Sequence, residues 1–321
     1  MSVRLGRRMP AVLVCLILAM ALASAHAAAP PVSIAVVLSR DLAAYREALH
    51  GFEEVLKESG ISYKLHEFSA EGLTATRRTI VAKIRAKEPD LVLTVGSAAT
   101  NQISGEISDL PIVFSMVLPA AGTRSLEELR QSRPNLTGAT MQIPVQTQFT
   151  RLREVLPTVR RIGVLYDPDV SGPLIEDAAE AARALGLVLV PLPVASETEV
   201  LRQTSALADR VDVLWSVADS TVFSDQGLKH ILLATLRNRI PFVGLSPAFV
   251  KAGALLAFST DYRDLGRQAG ELSLRVLTGE DAALVPLTAP RRLSLSINMN
   301  TAKQIQLQIL DEIRLSADVF F

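Results

Sequence analysis

Cysteine is all but absent from this chain: Cys15 is the single one, and it lies in the first thirty residues. That excludes a disulfide framework and a cysteine-held metal for everything downstream. Histidine is scarce, with His26, His50, His66 and His230 the four in the chain. No pair has zinc-ligand spacing with a nearby acid, so no metal is expected and surface or rim positions are the default. Lys plus Arg and Asp plus Glu both number 33, and without a positive surplus the chain is not expected to bind nucleic acid. Beyond the N-terminus no apolar run is free of charge for ~18 residues, so no later membrane span is expected. Gly96-Ser97-Ala98 is not a dinucleotide fingerprint and no phosphate-cradling Gly-Lys-Ser or Gly-Lys-Thr occurs, so no nucleotide cofactor is expected.

The N-terminus carries the clearest pattern. Arg4, Arg7 and Arg8 precede an apolar run from Ala11 to Ala23, followed by Ala25-His26-Ala27 and more alanines. Charge, apolar stretch and small-residue site in that order are the layout of a secretory signal peptide. Its cleavage near Ala27 or Ala29 predicts a periplasmic protein; an uncleaved anchor is the lesser alternative, because the run is short for a bilayer. Cys15 has no small residues before it, which argues against a lipoprotein signal. About 290 residues remain, mildly acidic once the three arginines leave, and enough for two domains of ordinary size.

Those residues alternate short β-branched runs with amphipathic stretches, the pattern of an α/β protein with parallel sheets. A first set predicts strands at Val32–Leu38, Tyr63–Phe68, Leu91–Val95 and Ile112–Phe114, with helices over Ala43–Ser59 and Leu73–Lys87. A second set predicts strands at Ile162–Tyr166, Val188–Leu192, Val213–Val217 and Phe242–Leu245, with helices over Leu174–Leu185 and Leu228–Asn238. The sets match in detail. Gly60-Ile61-Ser62-Tyr63 answers Gly186-Leu187-Val188-Leu189, Asp90-Leu91-Val92-Leu93 answers Asp212-Val213-Leu214-Trp215, and Leu110-Pro111-Ile112-Val113 answers Ile240-Pro241-Phe242-Val243. Two related lobes explain this better than one long sheet. Residues 136–145 are the expected first crossing between lobes. Later elements are a strand at Ala254–Ser259, a helix through Leu265 to Val276, a strand at Leu293–Ile297 and a helix at Ala302–Ile313. The expected fold class is therefore α/β, two doubly wound parallel-sheet lobes joined by a hinge. Lobe one is 30–143 plus about 261–283, lobe two is 144–260 plus about 284–321, and 1–29 is the signal.

In open parallel sheets ligands bind beyond the carboxyl ends of the strands. The loops expected there are rich in small polar residues, and the candidate ligand contacts are Ser39, Ser97, Thr100, Ser115, Tyr166, Asp219, Ser220, Thr221, Ser246 and Asp261. Each alone is more simply a helix cap; the convergence of several loops is the signal. Gly244-Leu245-Ser246-Pro247-Ala248 follows a strand like a nucleophile elbow but lacks the second glycine, and Pro247 is awkward for an oxyanion-hole N–H, so an exported serine hydrolase is the weak alternative.

Leu49-His50-Gly51-Phe52, Leu91–Ala99, Arg161–Tyr166, Val217–Val222, Gly253-Ala254-Leu255, Asp261–Ala269 and Ile297–Lys303 together resemble the substrate-binding proteins of ABC transporters, in the group with tryptophan- and tyrosine-binding members. The resemblance implies a type I periplasmic-binding-protein-like fold and a non-enzymatic, monomeric receptor. Its two lobes would close on a small organic solute, an amino acid first among candidates, and present it to an ABC permease. A membrane sensor kinase is the alternative partner. One departure stands out: the loop after the fourth strand, often Asp-Pro in that family, here reads Ser115-Met116-Val117-Leu118-Pro119. With no acid there, the resemblance leaves Asp219 as the ammonium partner and Ser97 with Thr100 as a carboxylate site.

Overall fold

The computed structural model describes residues 30–70, 77–118, 130–205, 207 and 210–321. The signal segment, Leu73 and Pro119 lie outside them. In the first half, β1 (Val32–Leu38), β2 (Tyr63–Ser69), β3 (Leu91–Val95), β4 (Ile112–Val117) and β5 (Leu136–Thr140) form an all-parallel sheet in the order 2-1-3-4-5. The helices between them are α1 (Ala43–Ser59), α2 (Arg77–Arg85) and α3 (Ser97–Ser104). Ile34 to Leu38 of β1 are all buried, as expected of a central strand covered on both faces. Two apolar clusters flank this sheet, one built on Leu49, Phe52 and Leu56 of α1, the other on Ile80, Ile84 and Ile103.

The second half repeats the design. After α4 (Val145–Val155) come β6 (Arg161–Tyr166), α5 (Pro168–Ala184), β7 (Val188–Pro193), α6 (Glu197–Ser205), β8 (Val213–Trp215), α7 (Asp225–Arg237), β9 (Phe242–Gly244), α8 (Pro247–Ala252) and β10 (Leu256–Thr260). The order 7-6-8-9-10 is again that of a doubly wound sheet. It is extended by β11 (Leu293–Ile297), antiparallel to β10, and by β12 (Val319–Phe320).

The repeated four-residue signals turn out to be repeated devices. Asp90 accepts the Ser33 N–H at 2.8 Å, and Asp212 accepts the Arg161 N–H at 2.7 Å, so each carboxylate ties the start of a third strand to the start of a first. The carbonyls of Pro111 and Pro241 accept from Val92 and Leu214 at 3.0 and 2.9 Å. Gly60 and Gly186 follow their helices at φ 74 and 67, the left-handed turn that favours glycine.

Four expectations need correction. Leu136–Thr140 is not a crossing but a buried strand of the first sheet, and the chain leaves only after it. The helix expected from Leu174 starts at Pro168, because Asp167 caps it by accepting the Asp169 N–H and Pro168 fits the first helical position. The strand expected over Val213–Val217 ends at Trp215, where the chain turns out to form the loop carrying Asp219. The single closing helix is two, α10 (Met299–Gln304) and α11 (Asp311–Ser316). They are separated at Gln306, whose φ of 59 is incompatible with helix.

The helix α9 (Tyr262–Leu277) follows β10 of the second sheet yet packs along α1 of the first. The contact is at backbone distance: a Cβ on Gly266 would lie 1.7 Å from the Ala48 carbonyl oxygen, and one on Gly51 would lie 1.9 Å from that of Arg263. Arg263 and Arg267 of α9 then pair with Glu54 and Glu58 of α1. After α9 the chain runs beside β5, with Thr288 bonded to Gly138 and Thr140 at 3.0 and 2.9 Å, before reaching β11. Arg291 clamps that return segment to α9 through Asp264 and Glu271.

Candidate functional site

Beyond the carboxyl ends of β8, β9 and β10 lies a cleft of about 600 Å³, within the ~300–1,000 Å³ that small-molecule sites occupy. The second sheet and its helices supply most of the wall: Val170, Ser171, Pro173, Leu174 and Asp177 from α5, and the ends of β8 to β10 from Trp215, Val243 and Phe258 onward. Met141, Gln142 and Ile143, which leave β5, and Tyr262, which opens α9, form the hinge side. From the body of the first sheet, Leu118 lines the cleft. The lining is mainly apolar.

Trp215 anchors the floor. It is 3% exposed, stands edge-to-face on Phe149 with ring centroids 5.0 Å apart, and donates Nε1–H to Gln148 Oε1 at 2.9 Å. Gln148 donates Nε2–H to the Ile143 carbonyl at 2.9 Å, which fixes the amide and leaves one N–H over. The Ser216 hydroxyl donates to the Val243 carbonyl at 2.7 Å. By contrast Gln142, Ser246 and Ser259 have no side-chain hydrogen bond among the described residues. The Thr260 hydroxyl is buried without a partner.

The candidate contacts named from the sequence fall into three groups. Ser246 lines the cleft. Ser39, Ser97, Thr100 and Ser115 sit at the first sheet's strand ends but off the cleft wall. Ser39 Oγ accepts the Ala99 N–H at 2.9 Å, Ser97 Oγ accepts the Leu118 N–H at 3.1 Å, and Thr100 bonds Gly96 and Thr94. Ser115 is buried with its hydroxyl unpartnered, next to a bulge where Met116 takes φ 58. The rest sit at or just after strand ends of the second sheet. Asp219, 3% exposed, accepts the Asp167 N–H at 2.8 Å, the Ser171 hydroxyl, and the Thr221 and Val222 N–H groups at 3.0 and 3.3 Å. Thr221 returns a bond to Asp167 at 2.7 Å. Four donors fill a carboxylate, so Asp219 builds the loop and has nothing left for a ligand ammonium. Ser220 is exposed, Tyr166 packs on the core, and Asp261 caps α9 by accepting the Asp264 N–H at 3.0 Å.

Gln142, Gln148, Ser171 and Asp177 were missed. The 170, 171, 174, 177 spacing on α5 was a usable signal for one helical face, but the expected helix began only at Leu174. Among the described residues no histidine lines the cleft beside Ser246. Among the described residues no helix is long and apolar enough to cross a membrane.

A family model described as ABC transporter substrate binding protein matches residues 31–320. A tyrosine-binding protein of Clostridioides difficile (strain R20291) is 23% identical over 278 residues, covering 85% of this chain and 79% of that protein. Among solved structures, the ligand-free, open structure of a substrate binding protein with adhesive properties from Clostridium difficile superposes with a TM-score of 0.73. It is 19% identical and covers 89% of this chain and 98% of that one. An ABC domain in complex with L-Trp from Streptococcus pneumoniae gives 0.61 at 22% identity, covering 91% and 100%. At these identities the structures establish a shared two-lobed fold.

Proposed function

Since the chain belongs to the family of ABC transporter substrate binding proteins, we propose that it is an extracytoplasmic receptor that captures a small organic solute between its lobes and delivers it to an ABC permease. The observation that carries this reading is the one-sided cleft: an apolar wall on the second lobe, a hinge at its back, and the first lobe's strand ends facing it without filling it. Closure of the first lobe over a ligand bound to that wall would shift the population toward a compact state. The lobes divide as 30–143 with 261–288 and 144–260 with 289–321. The third boundary is placed a few residues later than the sequence suggested, a reading supported by Val285 and Thr288 bonding to β5. Tyrosine and tryptophan, named for the relatives, are the first solutes to try, since Trp215, Phe258 and Tyr262 give the cleft an aromatic character. The protein acts without turnover; an isolated Ser246 supports no acyl chemistry.

The test is native mass spectrometry of solute carried through purification, followed by small-angle scattering of loaded and stripped protein. A bound solute and a smaller radius of gyration when loaded are expected. A protein that carries nothing and keeps one shape with every solute offered would sink the proposal.

A further inference from the structure

The charge of the cleft deepens the receptor reading and rests on it. Among the described lining residues Asp177 is the only acidic side chain, and lysine, arginine and histidine are absent. Its carboxylate is exposed and forms no hydrogen bond or ion pair among the described residues. It stands on α5 at helical spacing from Val170, Ser171 and Leu174, so the helix turns it to the cleft. Three aromatic rings, Trp215, Phe258 and Tyr262, line the same space, and aromatic faces attract cations. Asp219, the other acid nearby, is saturated by its own loop. A ligand carboxylate would meet only neutral donors here: Gln142, Ser246, Ser259 and the spare amide N–H of Gln148. Closing the cleft removes water from Asp177, and a carboxylate stripped of water needs an opposite charge.

We infer that Asp177 anchors a cationic nitrogen of the ligand, and that the solute is an apolar-bodied organic amine whose carboxylate, where it has one, gains no ionic partner on this wall. A decarboxylated aromatic amine therefore binds at least as well as the parent amino acid.

Calorimetric titration with tryptamine, L-tryptophan and indole-3-propionate, on wild type, Asp177→Asn and Asp177→Glu, tests this. Tryptamine is expected to bind at least as tightly as L-tryptophan and about tenfold or more tighter than indole-3-propionate. Asp177→Asn should weaken tryptamine about tenfold, and Asp177→Glu should restore most of the affinity. Indole-3-propionate or L-tryptophan binding clearly tighter than tryptamine overturns the inference, as does tryptamine binding that ignores Asp177→Asn. If none of the three binds, the solute found by mass spectrometry decides. One without a cationic nitrogen overturns the amine assignment and leaves the receptor reading standing, one with it whose retention is lost in Asp177→Asn supports both, and no solute at all, with one shape whatever solute is offered, overturns both.

Discussion

In the first lobe the loops after β1, β3 and β4 tie their small polar residues to one another: Ser39 to α3, Ser97 to Leu118, Thr100 to Thr94. In the second lobe Ser246 after β9 and Ser259 near the end of β10 border the cleft without a side-chain hydrogen bond among the described residues, whereas the loop after β8 is locked by Asp219. The same strand order thus gives a stiff rim on one side and a receptive wall on the other. A duplicated fold can divide labour through which loop hydroxyls are satisfied internally, without changing a single strand connection.

The lobes also differ in how tightly their helices are set, and that difference yields the largest expected effect. Gly266→Ala drives a Cβ into the Ala48 carbonyl and should cost about 3 kcal/mol or more, since backbone cannot move aside as a flexible side chain can. Gly172→Ala, in the helix α5 with nothing within 4 Å of the added atom, should instead stabilise by up to ~1 kcal/mol. Urea unfolding of both variants checks the contrast; equal effects would remove it.

Next come the locked loops. Asp219→Ala leaves four donors without an acceptor and should cost about 2–4 kcal/mol, whereas Ser39→Ala on the first rim should cost about 1 kcal/mol. A smaller loss for Asp219→Ala than for Ser39→Ala would place the ligand, not the loop, as the reason for that aspartate.

The unpartnered hydroxyls sharpen the comparison further. Thr260→Val and Ser115→Ala each remove a buried hydroxyl that has no partner, and each should stabilise the empty protein by up to ~1 kcal/mol. Only Thr260 lines the cleft, so Thr260→Val should also lower solute affinity while Ser115→Ala leaves it unchanged in the same titration.

The smallest effect is acid sensitivity, and it too is uneven. On the first lobe and α9, Arg263 beside Glu54 holds that carboxyl down to about 2, and Arg85 beside Asp109 does the same; Arg267 lowers Glu58 as well. On the second lobe burial pushes Asp212 up, but the Arg161 side chain and the backbone N–H groups of Arg160 and Arg161 outweigh it. Carboxyls depressed in the folded state stabilise it fully above their ordinary values, and that stabilisation fades as pH falls from 4.5 toward 2. Hydrogen exchange between pH 5 and pH 2.5 should therefore show α1 and α9 loosening before β6 and β8. Glu54→Gln should flatten the trend.

The sheets were legible because buried parallel strands write their character as β-branched runs, and the paired Asp, Pro and Gly signals mark strand and helix ends that recur in both lobes. Several segments that carried the family resemblance proved structural: Gly51 and Gly266 are the two sides of one helix contact. The site was far less legible. Serines at strand ends look alike in sequence whether they cap a helix, as Ser39 does, or face a cleft, as Ser246 does. Whether Asp219 is spent or available depends in part on two donors 48 and 52 residues away, Ser171 and the Asp167 N–H, a separation no local pattern reports.

One consequence of the α1–α9 contact concerns time rather than shape. Arg263 reaches Glu54 across 209 positions, so the first lobe lacks a packed face of its core until most of the chain has been synthesised. Contacts of such long range delay folding, since the loop entropy must be met before the contact forms. A nascent chain with α9 still on the ribosome has nothing to cover that face of α1.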